Sequence, residues 1–168
     1  MDAPAPVTSW PRRLLWRLVH AAIVVIILFT VLSMSSNPPT TLGLHSGRLA
    51  PCPATPNCVS SLADQADQKV LPFRLERPLS EAKAAVKTAL AALPRTRLVR
   101  EEDNYLHFEF RSLIFRFVDD VEFHFDAEAK TIHIRSASRV GHSDLGVNRR
   151  RVETIRSLLP APMQNRPD

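Results

Sequence analysis

VDDVEFHFDAEAKTIHIRSAS (Val118–Ser138) decides how the rest of the chain is read. Apolar and polar residues alternate on both sides of Ala127–Lys130, the period of a half-buried β-strand, and the interruption has the length of a hairpin turn. A hairpin centred there pairs His124 with His133 and Glu122 with Arg135 on its polar face. On its apolar face Phe123 meets Ile134 and Phe125 meets Ile132.

Working outward, Leu113, Phe115, Phe117, Val121, Phe123 and Phe125 share one parity, which unbroken would put Asp119 among the phenylalanines. Either the strand bends at Val118–Asp120, the preferred reading, or Asp119 is a buried carboxylate in need of partners. Tyr105–Phe110 is a strand with Leu106, Phe108 and Phe110 on one face and Tyr105, His107 and Glu109 on the other. Arg97–Arg100 is a weaker strand, and Val70–Leu75 a short one. Ser80 can cap a helix running to Leu93, with Ala82, Val86, Ala89, Leu90 and Leu93 on its apolar side and Pro94 ending it. A last helix, from about Asp144 or Asn148 to Leu159, turns Leu145, Val152, Ile155 and Leu159 one way and stops at Pro160. The fold expected is α+β: an antiparallel sheet of four or five strands, one face covered by two helices.

Toward the N-terminus the solvent changes. LVHAAIVVIILFTVLSM (Leu18–Met34) has His20 as its only ionisable group. With Leu14 and Leu15 it approaches the ~20 residues that cross a bilayer as a helix. Trp10 and Trp16 suit headgroup depth, and Arg17 can snorkel there. Arg12, Arg13 and Arg17 flank only the N-terminal side, and the next basic residue is Arg48. The positive-inside rule then makes residues 14–34 a single-pass signal anchor in the inner (plasma) membrane. Residues 1–13 are cytoplasmic and the C-terminal domain periplasmic or extracellular. A cleaved signal peptide, with Ser33 and Ser35 near a cleavage site, would export the domain equally. Residues 35–68 hold Pro38, Pro39, Pro51, Pro53 and Pro56 and read as a proline-rich linker. The α+β domain occupies 69–160 and a tail 161–168.

Cys52 and Cys58 are the only cysteines of the chain. Outside the cytoplasm a pair this close forms a local disulfide. A redox dithiol lacks the C-x-x-C spacing, and a zinc site lacks two further ligands nearby. The formal charge of +5 is modest, and no basic block is interleaved with aromatics, so no nucleic-acid partner is expected. No cofactor or metal is expected either. His107, His124 and His133 share a sheet face, read as solvated polar surface before metal site.

CPATPNCVSS (Cys52–Ser61), FVDDVEF (Phe117–Phe123) and IRSASRVGHSDLGVNRRR (Ile134–Arg151) resemble the signature blocks of a bacterial and plastid family, domain of unknown function 1499. The resemblance spans about Cys52 to Leu159. It implies a membrane-anchored or exported protein and brings no established activity. The positions that match its motifs are Cys52, Asn57, Cys58, Asp119, Asp120, Arg135, Ser136, Ser138, Arg139, Gly141, Ser143, Asp144, Gly146, Asn148 and Arg151.

The third block joins a strand to a helix N-terminus through Val140–Gly146, a geometry suited to an anion. Arg149, Arg150 and Arg151 oppose the helix dipole in the first turn, which calls for acidic partners or an anionic ligand. Against this, Asp144 can cap the helix, Arg135 can pair with Glu122, and other arginines with Asp119 or Asp120. Three functions stay open. The first is a non-catalytic envelope module binding an anionic small molecule through Arg135, Ser136, Ser138, Arg139, Gly141, Ser143, Asp144, Asn148 and Arg151. The second is a hydrolase using Asp119, His142 and Ser143, which needs those side chains to converge. The third is a structural protein whose exposed sheet face docks an envelope protein.

A reporter phosphatase that folds only outside the cytoplasm, fused after Asp168, is expected to be active, and a fluorescent protein at the same point dark. The reverse result removes the exported topology.

Overall fold

The structure, a computed structural model, describes residues 12–34 and 37–165. Trp10 and Ser35, to which the sequence assigned interfacial and cleavage roles, lie outside the described residues, as do 166–168. Helix α1 (Arg12–Met34) is long and apolar enough to cross a membrane. Its side chains are exposed through most of the helix.

Two short strands follow, β1 (Leu44–His45) and β2 (Arg48–Leu49), paired as a small hairpin. Then come β3 (Cys58–Ser60), β4 (Phe73–Arg74), helix α2 (Leu79–Ala91), β5 (Thr96–Glu102), β6 (Tyr105–Arg111), β7 (Val118–Asp126), β8 (Thr131–Ser138) and helix α3 (Val147–Leu158). The main sheet has six strands, not four or five. Its order is β3-β8-β7-β6-β5, and β4 pairs with the other end of β8. Every pairing in it is antiparallel.

The central hairpin has the register its alternation predicts: His124 opposite His133, Glu122 opposite Arg135, Phe123 opposite Ile134 and Phe125 opposite Ile132. Its apolar face packs with Phe108 and Phe73 under α2 and α3 to form the core. Ala82, Val86, Ala89 and Leu90 of α2 are buried, as are Val152 and Ile155 of α3. The helix start expected at Ser80 moves back: Pro78 is the N-cap and no side chain caps α2. Proline suits that position, its fixed φ and missing N–H costing a helix start nothing.

Three further expectations are corrected. The irregularity before β7 lies at residues 112–117, where Leu113 is exposed and Arg116 takes a positive φ. The strand then runs unbroken, so Asp119 does share the parity of the phenylalanines. Leu145, expected on the buried side of the last helix, is 84% exposed, because Gly146 is left-handed and α3 begins after it. Beyond Pro160 the chain makes a short 3-10 turn (Ala161–Met163) that buries Met163.

The largest departure concerns the second face of the sheet. Tyr105, His107, Glu109, Asp120, Glu122, His124 and Arg135 are all buried, not a solvated polar surface. The stretch read as a linker covers them. Its strand β2 packs on β7 and β8, β3 extends the sheet, and Leu49, Ala50, Cys58 and Val59 are buried. A disulfide joins Cys52 to Cys58 within this cover. Gly43 brings the backbone close enough for its N–H to reach Glu122 at 2.9 Å, at a φ of +103° that favours glycine. The sheet interior therefore has two sides, one apolar and one charged. At the outside, β5 is exposed along almost its whole length and breaks register between Leu98 and Arg100.

Phe123 packs against the rings of Phe73 and Phe108 and is fully buried. Phe123→Ala is expected to cost about 3–5 kcal/mol, read as a fall in the urea midpoint at unchanged slope.

Candidate functional site

Family-matching residues converge where β6 ends, β7 begins and β8 leads into the loop before α3. Two networks lie there, one on each side of the sheet.

On the charged side, Arg139 donates to both oxygens of Asp120, at 2.8 and 2.7 Å, and to Glu109 at 2.7 Å. His107 Nε2 donates to Asp120 at 2.7 Å. Alternation along β6 and β7 puts these carboxylates opposite each other, Glu109 beside Asp120, and Arg139 follows directly on β8. Burial pushes the carboxyl of Asp120 up, but the bonds from Arg139 and His107 outweigh it and hold the group below its ordinary range. Glu109 behaves alike: burial raises it, and Arg97 and Arg139 bring it down. The same bonds raise the guanidinium of Arg139.

Next to this cluster, fully buried Glu122 accepts from Arg135 at 3.0 Å, from Tyr105 at 2.7 Å and from the Gly43 N–H. Burial, then the adjacent Glu122 charge, drive the Tyr105 phenol up and keep it a donor. Arg135 Nη1 is thus committed, whereas its Nε is buried without a hydrogen-bond partner among the described residues. Arg135 and Arg139 line a cavity of about 320 Å³ with Asp120, Ser138, Cys52 and Pro39. Further along this face His124 and His133 stack; burial lowers both imidazoles, and His133 is lowered further by its neighbour.

On the helix side, Asp119 is paired with Arg151, which also donates to Asn148 and to Ser136 and lies 4.6 Å over the Phe110 ring. Asn148 is fully buried and joins the elements: its Oδ1 accepts from Ser136, and its Nδ2 donates to Ser138 and to the Asn57 carbonyl. Asn57 in turn donates to the Gly141 carbonyl at 2.6 Å. Asp144 accepts from the N–H groups of Gly146 and Asn148, so the helix start proposed as an anion site is served by its own chain. The other two arginines of the first turn donate to carbonyls, Arg149 to Asp67 and Arg150 to Leu145. Most of the predicted site residues are thus brought together, chiefly by bonding to one another.

His142 is exposed, and among the described residues no hydrogen bond links it to Ser143 or Asp119. Ser143 and Asp119 face a second hollow of about 540 Å³, lined also by Phe29, Phe117, Val140, Leu145 and Val147. No group of three metal-binding side chains occurs among the described residues. The charged face of β7 and β8, left open in the third reading, is covered by β2, while β5 at the sheet edge stays exposed.

Glu109, His107 and Tyr105 are the participants sequence reading missed. Their parity was visible, but parity alone does not distinguish water from a second interior. Arg156 was missed as well. Buried on α3, it reaches the carbonyls of Leu71, Pro72 and Asn165 and lies 4.6 Å over Phe73.

Residues 48–159, two thirds of the chain, match the model of a family described as "Protein of unknown function (DUF1499)", and the chain belongs to that family. The match takes in β2, the disulfide loop, the sheet and α3. No curated protein matches the sequence.

Arg139→Gln leaves buried Asp120 without an arginine and Glu109 with only Arg97 and Arg111, and is expected to cost about 3–5 kcal/mol at neutral pH. In the native protein these carboxyls are lowered, so their stabilisation is present above the ordinary carboxylate range and lost as pH falls through their folded values. In the variant both move up from there, Asp120 keeping only His107 and Glu109 keeping Arg97 and Arg111. The gap between the two proteins, measured by urea unfolding, should therefore narrow as pH falls toward about 4.

Proposed function

We propose that this chain is a non-catalytic module, held by α1 in an inner (plasma) membrane with its N-terminus cytoplasmic. Its α+β domain faces the periplasm or extracellular space and binds an anionic ligand of the cell envelope beside Arg135. The observation that carries the reading is Arg135 Nε, a buried N–H donor without a partner among the described residues, on a side chain only 6% exposed whose residue lines a cavity. A buried donor without an acceptor costs about 1–3 kcal/mol, a penalty that a bound acceptor removes. The disulfide agrees with an oxidising compartment, and α1 with an anchor.

This reading is narrower than the one drawn from the sequence. Arg139, Arg151 and the Gly141–Gly146 loop are satisfied internally, leaving Arg135 as the recognising group. The surrounding charges nearly balance, with Glu109, Asp120 and Glu122 against Arg135 and Arg139. Binding therefore rests on directed hydrogen bonds more than on net attraction.

Titration of the full chain in neutral detergent with inorganic phosphate is expected to give weak, saturable heat that diminishes with added salt. Arg135→Lys keeps a cation for Glu122 and deletes Nε, so it should lower affinity about tenfold, the effect of one lost charge-assisted hydrogen bond. Absence of saturation, or equal binding by the Lys variant, defeats the reading.

A further inference from the structure

The loop between β6 and β7 and the loop before α3 carry apolar side chains that the domain leaves uncovered: Leu113 70% exposed, Ile114 58%, Leu145 84%, Val147 40%. Leu145 and Arg116 also sit at positive φ, a conformation non-glycine residues adopt only at a cost. In water such a display gains nothing and risks aggregation.

Its position supplies the occupant. Phe29, near the outer end of α1, packs its ring 5.3 Å from Phe115 and 6.1 Å from Phe117. Phe29 is five residues before the last residue of α1, roughly 7 Å along the helix axis at 1.5 Å per residue. With α1 across a bilayer, a loop touching Phe29 is level with the outer leaflet, not above it. The hollow of about 540 Å³ continues the same surface from Phe29 and Phe117 to Val140, Leu145 and Val147. Ser112, Asp119, Ser143 and Asp144 line the hollow as well, so the patch adjoins the membrane helix through its apolar rim.

We propose that the exposed side chains of Leu113, Ile114, Leu145 and Val147 enter the acyl boundary of the leaflet through which α1 leaves the membrane, with Arg116, His142 and Asp144 at headgroup level beside them. The domain is then seated on lipid by three contacts, α1 and two loops, rather than swinging on a tether. The seating rests on α1 spanning the bilayer and is independent of the anion site at Arg135.

Depth-dependent quenching tests it in the full chain, reconstituted in phosphatidylcholine vesicles with brominated acyl chains. Single-tryptophan proteins are compared in a Trp10→Phe, Trp16→Phe background: Leu113→Trp, Leu145→Trp, and Ala127→Trp in the turn at the opposite end of the sheet. A protein retaining only Trp16 reports the span. Side chains sunk ~5–10 Å into the headgroup and acyl boundary should lose about half their emission to bromine, and Ala127→Trp none. If Trp16 is quenched while positions 113 and 145 match 127, the seating is wrong and the span survives. If Trp16 is unquenched, both fall. Emission at 113 and 145 that is blue-shifted yet insensitive to bromine, with cross-linking between copies, would assign the patch to a second chain and overturn the proposal. Retained phosphate binding by the tryptophan variants separates this outcome from failure at Arg135.

Discussion

Across β6, β7 and β8 both faces of the sheet are shut off from water, and only one is hydrocarbon. On the other, Glu109, Asp120 and Glu122 are buried within reach of one another, an arrangement that holds only while Arg139 and Arg135 neutralise it. Each carboxylate accepts several charge-assisted bonds, so the group behaves as one unit in which no member can be removed alone. Ordering of β6, β7 and β8 at this end follows from it, since a slip of one residue would carry every charge into the apolar layer.

The cover over this face has little regular structure. Two short strands, a disulfide and a proline-rich loop span the distance from α1 to β3. Such a segment contributes few apolar contacts, and its attachment depends on specific links: the Gly43 N–H on Glu122, Gln68 on the carbonyls of Pro53 and Thr55, and Asn57 on Gly141. The disulfide closes only a short loop, so its entropic contribution is small, about the lower end of 2–4 kcal/mol. Its position is more informative than its strength, because Cys52 lines the cavity while Cys58 pairs with β8.

What could be read from sequence follows from the range of the interactions. The Val118–Ser138 hairpin was legible to the residue, since its two halves lie close in the chain and alternate cleanly. Arg135 opposite Glu122 followed from that register, and Asp119 and Asp120 were recognisable as partners for nearby arginines. Which arginine each would take was not, because Arg139 and Arg151 come from different elements on opposite sides of the sheet. The second interior was illegible for a similar reason. Gly43 and Glu122 are 79 positions apart, and nothing periodic marks residues 42–60 as a cover. Leu145 was misjudged by extending a helical pattern across Gly146, whose left-handed backbone ends it.

One property of β5 acquires meaning once the chain is held on a membrane by α1. Copies confined to a surface meet far more often than copies free in solution, and an unpaired strand rim is where β proteins polymerise. Arg97, Arg100, Glu101 and Glu102 stud that rim, and the register break after Leu98 interrupts any ladder a neighbour could begin. A chain anchored and crowded in two dimensions would thus offer its neighbours a charged, interrupted rim.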